Sequence, residues 1–387
     1  MNELHTRLHP LLKNFTEKGP SGCSLQVMHQ GNTIYKDYVG FANKEDKIAI
    51  DEDTIFRIYS MTKVVTCTAA LMLYERGLFL LNDPLEKYLP EFKNMKVYHK
   101  DDSGKVTVIP ASRSILVKDL FTMTSGLTYG GEANETEKHV AKTFQQLQEK
   151  GEKLTNRRLS EVLATIPLAF QPGAHWYYGL SHDVLGALIE VLTGKTLGQF
   201  FQDEIFTPLA MKDTFFRIPD NKKHRFAVLY NRNEDGSLTK NEKMDVQFEP
   251  LSELESGGGG LLSTLGDYSR FAHMLANGGE FEGVKVIGEK TISFMTKNQL
   301  NDEQATTYNW DYLAGYGYGL GVRTMMDSAQ GGSNGSEGEF GWSGLAGTWV
   351  LIDPQEKLSA VYMQQMIPNF EAYHQPRLRN VIYGAVK

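Results

Sequence analysis

Residues 23–40, CSLQVMHQGNTIYKDYVG, alternate apolar and polar side chains on either side of Gly31-Asn32. A period of two, broken by such a pair, predicts a β-hairpin with one face on a core. The stretch before it, MNELHTRLHPLLKNF, has an amphipathic helical period and reads as a first helix. A second helix is predicted from Ser60 to about Arg76, stopped by Gly77. On it Ser60, Lys63, Val64, Cys67, Leu71 and Tyr74 share one face, and Ala69, Ala70, Met72 and Leu73 cover much of the rest. A helix apolar nearly all round is buried on most sides, so this one is expected to cross the middle of the molecule.

Helical periods dominate from about residue 85 to 225, as in SRSILVKDLFTM, NRRLSEVLATIP, SHDVLGALIEVLTG and GQFFQDEIFTPLAM. Between them the polar GEANETEKHVAKTFQQLQEKGEK is expected to form an exposed helix or a mobile flap. Strand-like runs return after 225, with one more helix in GGGGLLSTLGDYSRFAHMLANGG. GTWVLIDPQEKLSAVYMQQM reads as two strands around Asp353-Pro354, and a helix from about Glu371 ends the chain. This order predicts an α+β fold, an antiparallel sheet flanked by helices. Residues 1–85 plus 226–387 would form the sheet subdomain, and 86–225 an inserted all-helical subdomain.

Composition narrows the function by exclusion. The 387 residues carry a formal charge of −7, from 40 basic against 47 acidic side chains, which argues against a nucleic-acid surface. No apolar run reaches the ~20 residues of a membrane span. The N-terminal stretch lacks the unbroken apolar segment of a secretory signal, so a cytoplasmic location is expected. Two cysteines, Cys23 and Cys67, are too few for a disulfide scaffold and fit a reducing compartment. Neither they nor the ten scattered histidines show metal-ligand spacing, so no metal or other cofactor is expected.

The candidate chemistry lies in Ser60-Met61-Thr62-Lys63. A lysine in the first turn of a buried helix is costly without a partner or a shifted pKa. One turn away, a serine at a helix N-terminus has a free backbone N–H and a favourable dipole for negative charge. The plain alternative is a serine helix cap beside a solvated lysine. Three rival sites are weaker. Gly331-Gly332-Ser333-Asn334-Gly335 matches G-x-S-x-G, but it lies in a polar loop without the strand–turn–helix context of a nucleophile elbow. His182 and Asp183 are adjacent on a predicted helix and point about 100° apart. Gly257–Gly260 lacks the Lys-Ser/Thr of a phosphate loop and reads as close backbone packing near the site.

Beyond S-x-x-K, four further segments carry a resemblance: FQPGAHWYYGLSHDVLGALIEVLTG, LFTMTSGL, SGGGGLLSTLGDYSRFAHMLANGG and FGWSGLAGTWVLIDP. Together they resemble the serine β-lactamase and penicillin-binding superfamily over about residues 20–366. The resemblance implies a β-lactamase/transpeptidase-like fold and acyl transfer through an acyl-enzyme. It makes Ser60 the nucleophile and Lys63 and Tyr178 the proton relay, with either of the two as general base. The backbone N–H groups of Ser60 and Leu345 would hold the oxyanion. Two motifs depart from the lactamase pattern. The second is Tyr178-Gly179-Leu180, without an asparagine amide, and the third is Trp342-Ser343-Gly344, without a lysine. Leu180 and Trp342 would then wall a pocket poorly suited to an anionic lactam. In this the chain is similar to family VIII carboxylesterases, which implies hydrolysis of small neutral esters without a cofactor. The expected partner is a small-molecule ester or amide. The alternatives are a D-Ala-D-Ala carboxypeptidase-like enzyme or weak β-lactamase, an acyltransferase, and a non-catalytic binding module. Arg323, or a basic residue in 130–155, could stand in for the missing lysine.

Overall fold

The computed structural model describes residues 3–249 and 252–386. Helix α1 (Glu3–Lys18) buries Leu4, Leu8, Leu12 and Phe15, a spacing of three and four that gives one apolar stripe. Met1 and Asn2 of the predicted first helix lie outside the described residues. The hairpin follows as β1 (Gly22–His29) and β2 (Asn32–Asn43). Its turn is Gln30-Gly31, one residue earlier than the sequence suggests. Both residues take positive φ, 49° and 83°, as a two-residue hairpin loop requires to match strand twist. A two-residue strand, β3 (Ile48–Ala49), closes this edge.

The chain then leaves the sheet for helices α2 (Thr62–Glu75), α3 (Glu135–Glu149), α4 (Asn156–Ala164), α5 (Ser181–Thr193) and α6 (Leu265–Ala276). It returns as β4 (Tyr316–Tyr318), β5 (Arg323–Met325), β6 (Phe340–Ser343), β7 (Trp349–Asp353) and β8 (Leu358–Gln364). Helix α7 (Glu371–Tyr383) follows. The eight strands form one antiparallel sheet in the order β4-β5-β6-β7-β8-β1-β2-β3. Its two ends of chain meet where β1 pairs β8, with Leu25 opposite Tyr362. This is the α+β architecture the pattern predicts.

Alternation along β8 divides the core in two. Leu358, Ala360 and Tyr362 join α1 and α7 on one face, while Val361 and Met363 join α2 and α6 on the other. Helix α2 runs through the second core with Thr62 to Leu73 all buried. The stretch 85–225 is not purely helical. Lys96–Lys100 and Val106–Pro110 form a hairpin closed around Asp101, whose carboxylate accepts the Ser103 and Lys105 N–H groups. Val97 is the one buried residue of these strands and Val106 and Val108 stay exposed, so little buried face marked them among the helical periods.

Candidate active site

A short strand, Ile55–Arg57, pairs with Leu262–Thr264 and delivers the chain to Ser60. Arg57 is buried and locked, donating to Ala227 O at 2.5 Å, Gln365 Oε1 at 3.1 Å and Asp245 Oδ1 at 2.8 Å. Tyr59 then takes φ 41°, a left-handed conformation that costs a non-glycine residue roughly 1–3 kcal/mol. Ser60 lies in a single 3₁₀ turn, Tyr59–Met61, and α2 starts only at Thr62. The serine cap of the plain alternative is absent: no side chain caps either element. The hydroxyl is thereby left for another partner.

That partner is Lys63. Its side chain is wholly buried, and Nζ donates to Ser60 Oγ at 3.2 Å, Tyr129 Oη at 3.0 Å and Gly258 O at 2.5 Å. Three acceptors match the three N–H bonds of an ammonium. Burial alone pushes the lysine pKa down, but Tyr129, Tyr178 and Asp183 together outweigh it, and the net direction is up. Tyr129 is pushed up as well, by burial more than Lys63 pulls it down, so it stays a phenol. Tyr178 lies on the other side, its ring centroid 4.6 Å from Nζ, and its Oη accepts the Trp342 indole N–H at 3.1 Å.

Close backbone contact sets the two tyrosines side by side, 5.7 Å between ring centroids. Residues 123–129 run along 173–181, joined by Tyr177 N to Met123 O, Gly173 N to Thr124 O, and Ser125 Oγ to Ser181 Oγ. Gly179 is required here, because a Cβ would stand 2.3 Å from Leu127 O. The middle position of the second motif is thus a packing demand. Gly257 and Gly258 press on α5 in the same way, where Cβ atoms would meet His182 O at 2.5 Å and Asp183 Oδ2 at 2.4 Å. The glycine run is the close-packed backbone expected of it. His182 and Asp183 diverge: His182 Nε2 lies 3.2 Å from Phe121 O and 3.5 Å from Cys67 Sγ, while Asp183 Oδ1 accepts Ser256 Oγ at 2.5 Å. Burial, reinforced by Lys63, holds the His182 pKa down at about 3 against a carbonyl that raises it.

The third motif closes the site. Gly344 lies against Ile58 O, and Thr348 Oγ1 donates to the same carbonyl at 3.2 Å. This ties the 343–348 turn to the residue two before Ser60. Among the described hydrogen bonds the Ser60 and Leu345 N–H groups have no protein acceptor. Ser343 Oγ donates to Glu371 Oε2 at 2.6 Å. Leu180 opens α5 and is 7% exposed, within the main core. Arg323 is buried and donates to Gln375 Oε1 at 2.9 Å. Lys138 and Lys153, from the 130–155 stretch, are paired at the surface with Glu135 and Glu253. Ser333 is elsewhere, accepting the Gly335 N–H in a loop that no helix follows. No cluster of three or more metal-ligating side chains occurs among the described residues.

Sequence reasoning missed Tyr129, the Gly258 carbonyl, Glu371 and an aromatic wall. In that wall Trp310 stands 5.4 Å from Tyr178 and 6.3 Å from Trp342, and Trp176 meets Trp310 at 5.2 Å. The aromatic run from Tyr308 to Tyr318 was the available signal. A family model described as Beta-lactamase matches residues 10–381. The chain belongs to the beta-lactamase family. An uncharacterized Mycobacterium tuberculosis protein is 31% identical over 90% of this chain and 86% of its own. Esterase EstB of Burkholderia gladioli is 28% identical over 87% of this chain and 84% of its own. Monacolin J acid methylbutanoyltransferase of Aspergillus terreus is 27% identical, covering 82% of this chain and 78% of its own. Solved structures share the fold, two of them as follows. EstCE1, a hydrolase with promiscuous acyltransferase activity, has TM-score 0.81, 22% identity and 99% of both chains covered. Simvastatin synthase (LovD) from Aspergillus terreus has TM-score 0.85 and 23% identity, covering 99% of this chain and 98% of its own. Among the described residues no single helix is long and apolar enough to cross a membrane.

Proposed function

We propose that this beta-lactamase family member is a carboxylesterase acting through an acyl-enzyme on small esters that carry no carboxylate. Ser60 Oγ adds to the ester carbonyl carbon while its proton passes to the Lys63–Tyr178 pair. Lys63 Nζ already donates to Ser60 Oγ, Tyr129 Oη and the Gly258 carbonyl, which leaves Tyr178 as the group to take that proton. The N–H groups of Ser60 and Leu345 receive the oxyanion. Collapse expels the alcohol, which takes the proton back, and water cleaves the acyl-enzyme through the same pair. Tyr129 and the Gly258 carbonyl hold Lys63 in place throughout.

The observation that carries the ester reading is the indole of Trp342 on Tyr178 Oη at 3.1 Å. It fills the motif position from which a lysine would meet a lactam carboxylate. An unpaired buried polar group costs ~1–3 kcal/mol and a charge more, which amounts to roughly 100-fold discrimination against lactams. The test compares kcat/KM for p-nitrophenyl butyrate and a chromogenic cephalosporin on one preparation at one pH. An equal or larger value for the cephalosporin would restore the lactamase reading. A second reading, transfer of the acyl group to an alcohol, is favoured by the rings of Trp310 and Trp342 around Tyr178, which disfavour water at the acyl-enzyme. Product analysis with added alcohol separates the two: transfer exceeding hydrolysis at low alcohol would make the protein an acyltransferase.

A further inference from the structure

The third motif ends on a carboxylate. Glu371 Oε2 accepts Ser343 Oγ at 2.6 Å and Gln375 Nε2 at 3.2 Å, and Glu371 is half-buried without an ion pair among the described residues. Arg323 reaches it only through Gln375 and is 4% exposed, so the charge offered on this side is negative. Two hydrogen bonds tie Glu371 to the proposed oxyanion turn. Asn369 Nδ2 donates to Leu345 O at 3.2 Å, and Asn369 Oδ1 accepts the Glu371 N–H at 2.9 Å. Phe370, between them, is held at φ 55°, a strained conformation for a non-glycine residue. From the other side the aromatic wall leads to the same place: Tyr178 to Trp310 is 5.4 Å and Trp310 to Tyr312 is 5.9 Å. Burial first, then Glu371, pushes the Tyr312 phenol up, and Arg323 pulls it down by less than Glu371 raises it, so the carboxylate dominates at the end of that wall.

Aromatic faces beside a carboxylate that makes no ion pair among the described residues are the chemistry that recognises an ammonium group and repels an anion. We propose that Glu371, with Trp310 and Tyr312, selects ester substrates carrying a cationic group and rejects those carrying a carboxylate. The proposal rests on the esterase reading and adds a charge preference that loss of the motif lysine alone does not require.

The kinetic test uses p-nitrophenyl esters whose acyl chains end in trimethylammonium or carboxylate, with wild type and Glu371→Gln at one pH and low salt. The expected cation-to-anion ratio in kcat/KM is about 100 for wild type, falling about tenfold or more in Glu371→Gln. The ratio cancels any general loss of catalysis. An unchanged ratio, or a wild type that prefers the carboxylate ester, overturns the proposal. A binding test is independent of turnover: benzyltrimethylammonium, which cannot be hydrolysed, is titrated into Ser60→Ala and into Ser60→Ala/Glu371→Gln. Affinity should fall about tenfold in the second protein, and equal affinities overturn charge selection whatever the esterase result. Glu371-dependent binding of the cation by a protein inert to every ester would instead refute the esterase reading and keep charge selection. If Glu371→Gln does not fold, Trp310→Leu is expected to weaken the same cation, and its failure to do so counts against the proposal equally.

Discussion

Ser60 and Ser333 both sit in sequence motifs of nucleophilic serines, and their surroundings separate them. Ser60 Oγ meets a buried lysine, whereas Ser333 Oγ accepts a backbone N–H within its own loop. Ser60→Ala should therefore reduce p-nitrophenyl butyrate hydrolysis by several orders of magnitude. Because that hydroxyl caps no helix, the change in unfolding free energy should stay within about 1 kcal/mol. Ser333→Ala should leave p-nitrophenyl butyrate hydrolysis near wild type, and the opposite pair of outcomes would move the nucleophile. Lys63→Ala and Tyr178→Phe should each cost about 100- to 10,000-fold in kcat/KM, with the double variant little worse than either. Fully multiplicative losses would mean that the two residues serve separate proton paths.

Between elements, the site depends on how closely the 123–129 segment approaches the second motif. Gly179→Ala would drive a Cβ into Leu127 O and the Thr128 Cα, 2.3 and 2.7 Å away, both backbone atoms that cannot rotate aside. A loss of about 1–3 kcal/mol in stability is expected, together with reduced kcat as Tyr178 shifts from Lys63. Gly266, in the first turn of α6, is the opposite case: a Cβ there meets nothing within 4 Å. Gly266→Ala should stabilise by up to about 1 kcal/mol, through helix propensity and a less flexible unfolded chain. Urea denaturation of both variants checks the sign as well as the size. A neutral Gly179→Ala would mean that the tight approach is not needed.

Across the whole molecule, His182 links the core beneath the site to pH. Its folded pKa of about 3 lies below the ordinary 6.5, so between these values the unfolded chain binds the extra proton. Its stabilising contribution is fully present above about pH 6.5 and is lost as pH falls toward 3, at up to ~1.4 kcal/mol per pH unit. Denaturation curves from pH 7 to 4 should show that fall, and His182→Gln should remove about one proton's worth of the slope. His273 and His374, also buried with pKa values held down at about 4, add to the wild-type slope and leave a residual in the variant. A slope identical in both proteins would place the acid sensitivity elsewhere.

What the sequence determined by itself was whatever a local period or spacing encodes. Alternation marked the β1–β2 hairpin, two strand-like runs around Asp353-Pro354 marked the β7–β8 pair, and an all-round apolar pattern marked α2 as buried. The one-turn interval between Ser60 and Lys63 is a local property, and so is the lead into Tyr178. The exposed hairpin at 96–110 escaped because strands with little buried face carry weak alternation. Only the tertiary structure decided which groups meet across the chain. Lys63 finds Tyr129 66 residues away and Gly258 195 residues away, and Ser343 finds Glu371 28 residues on. Those partners depend on sheet closure between β1 and β8 and on glycines that let backbones touch. A pattern of apolar faces specifies which side is buried, but long-range packing selects the polar atom that ends up opposite.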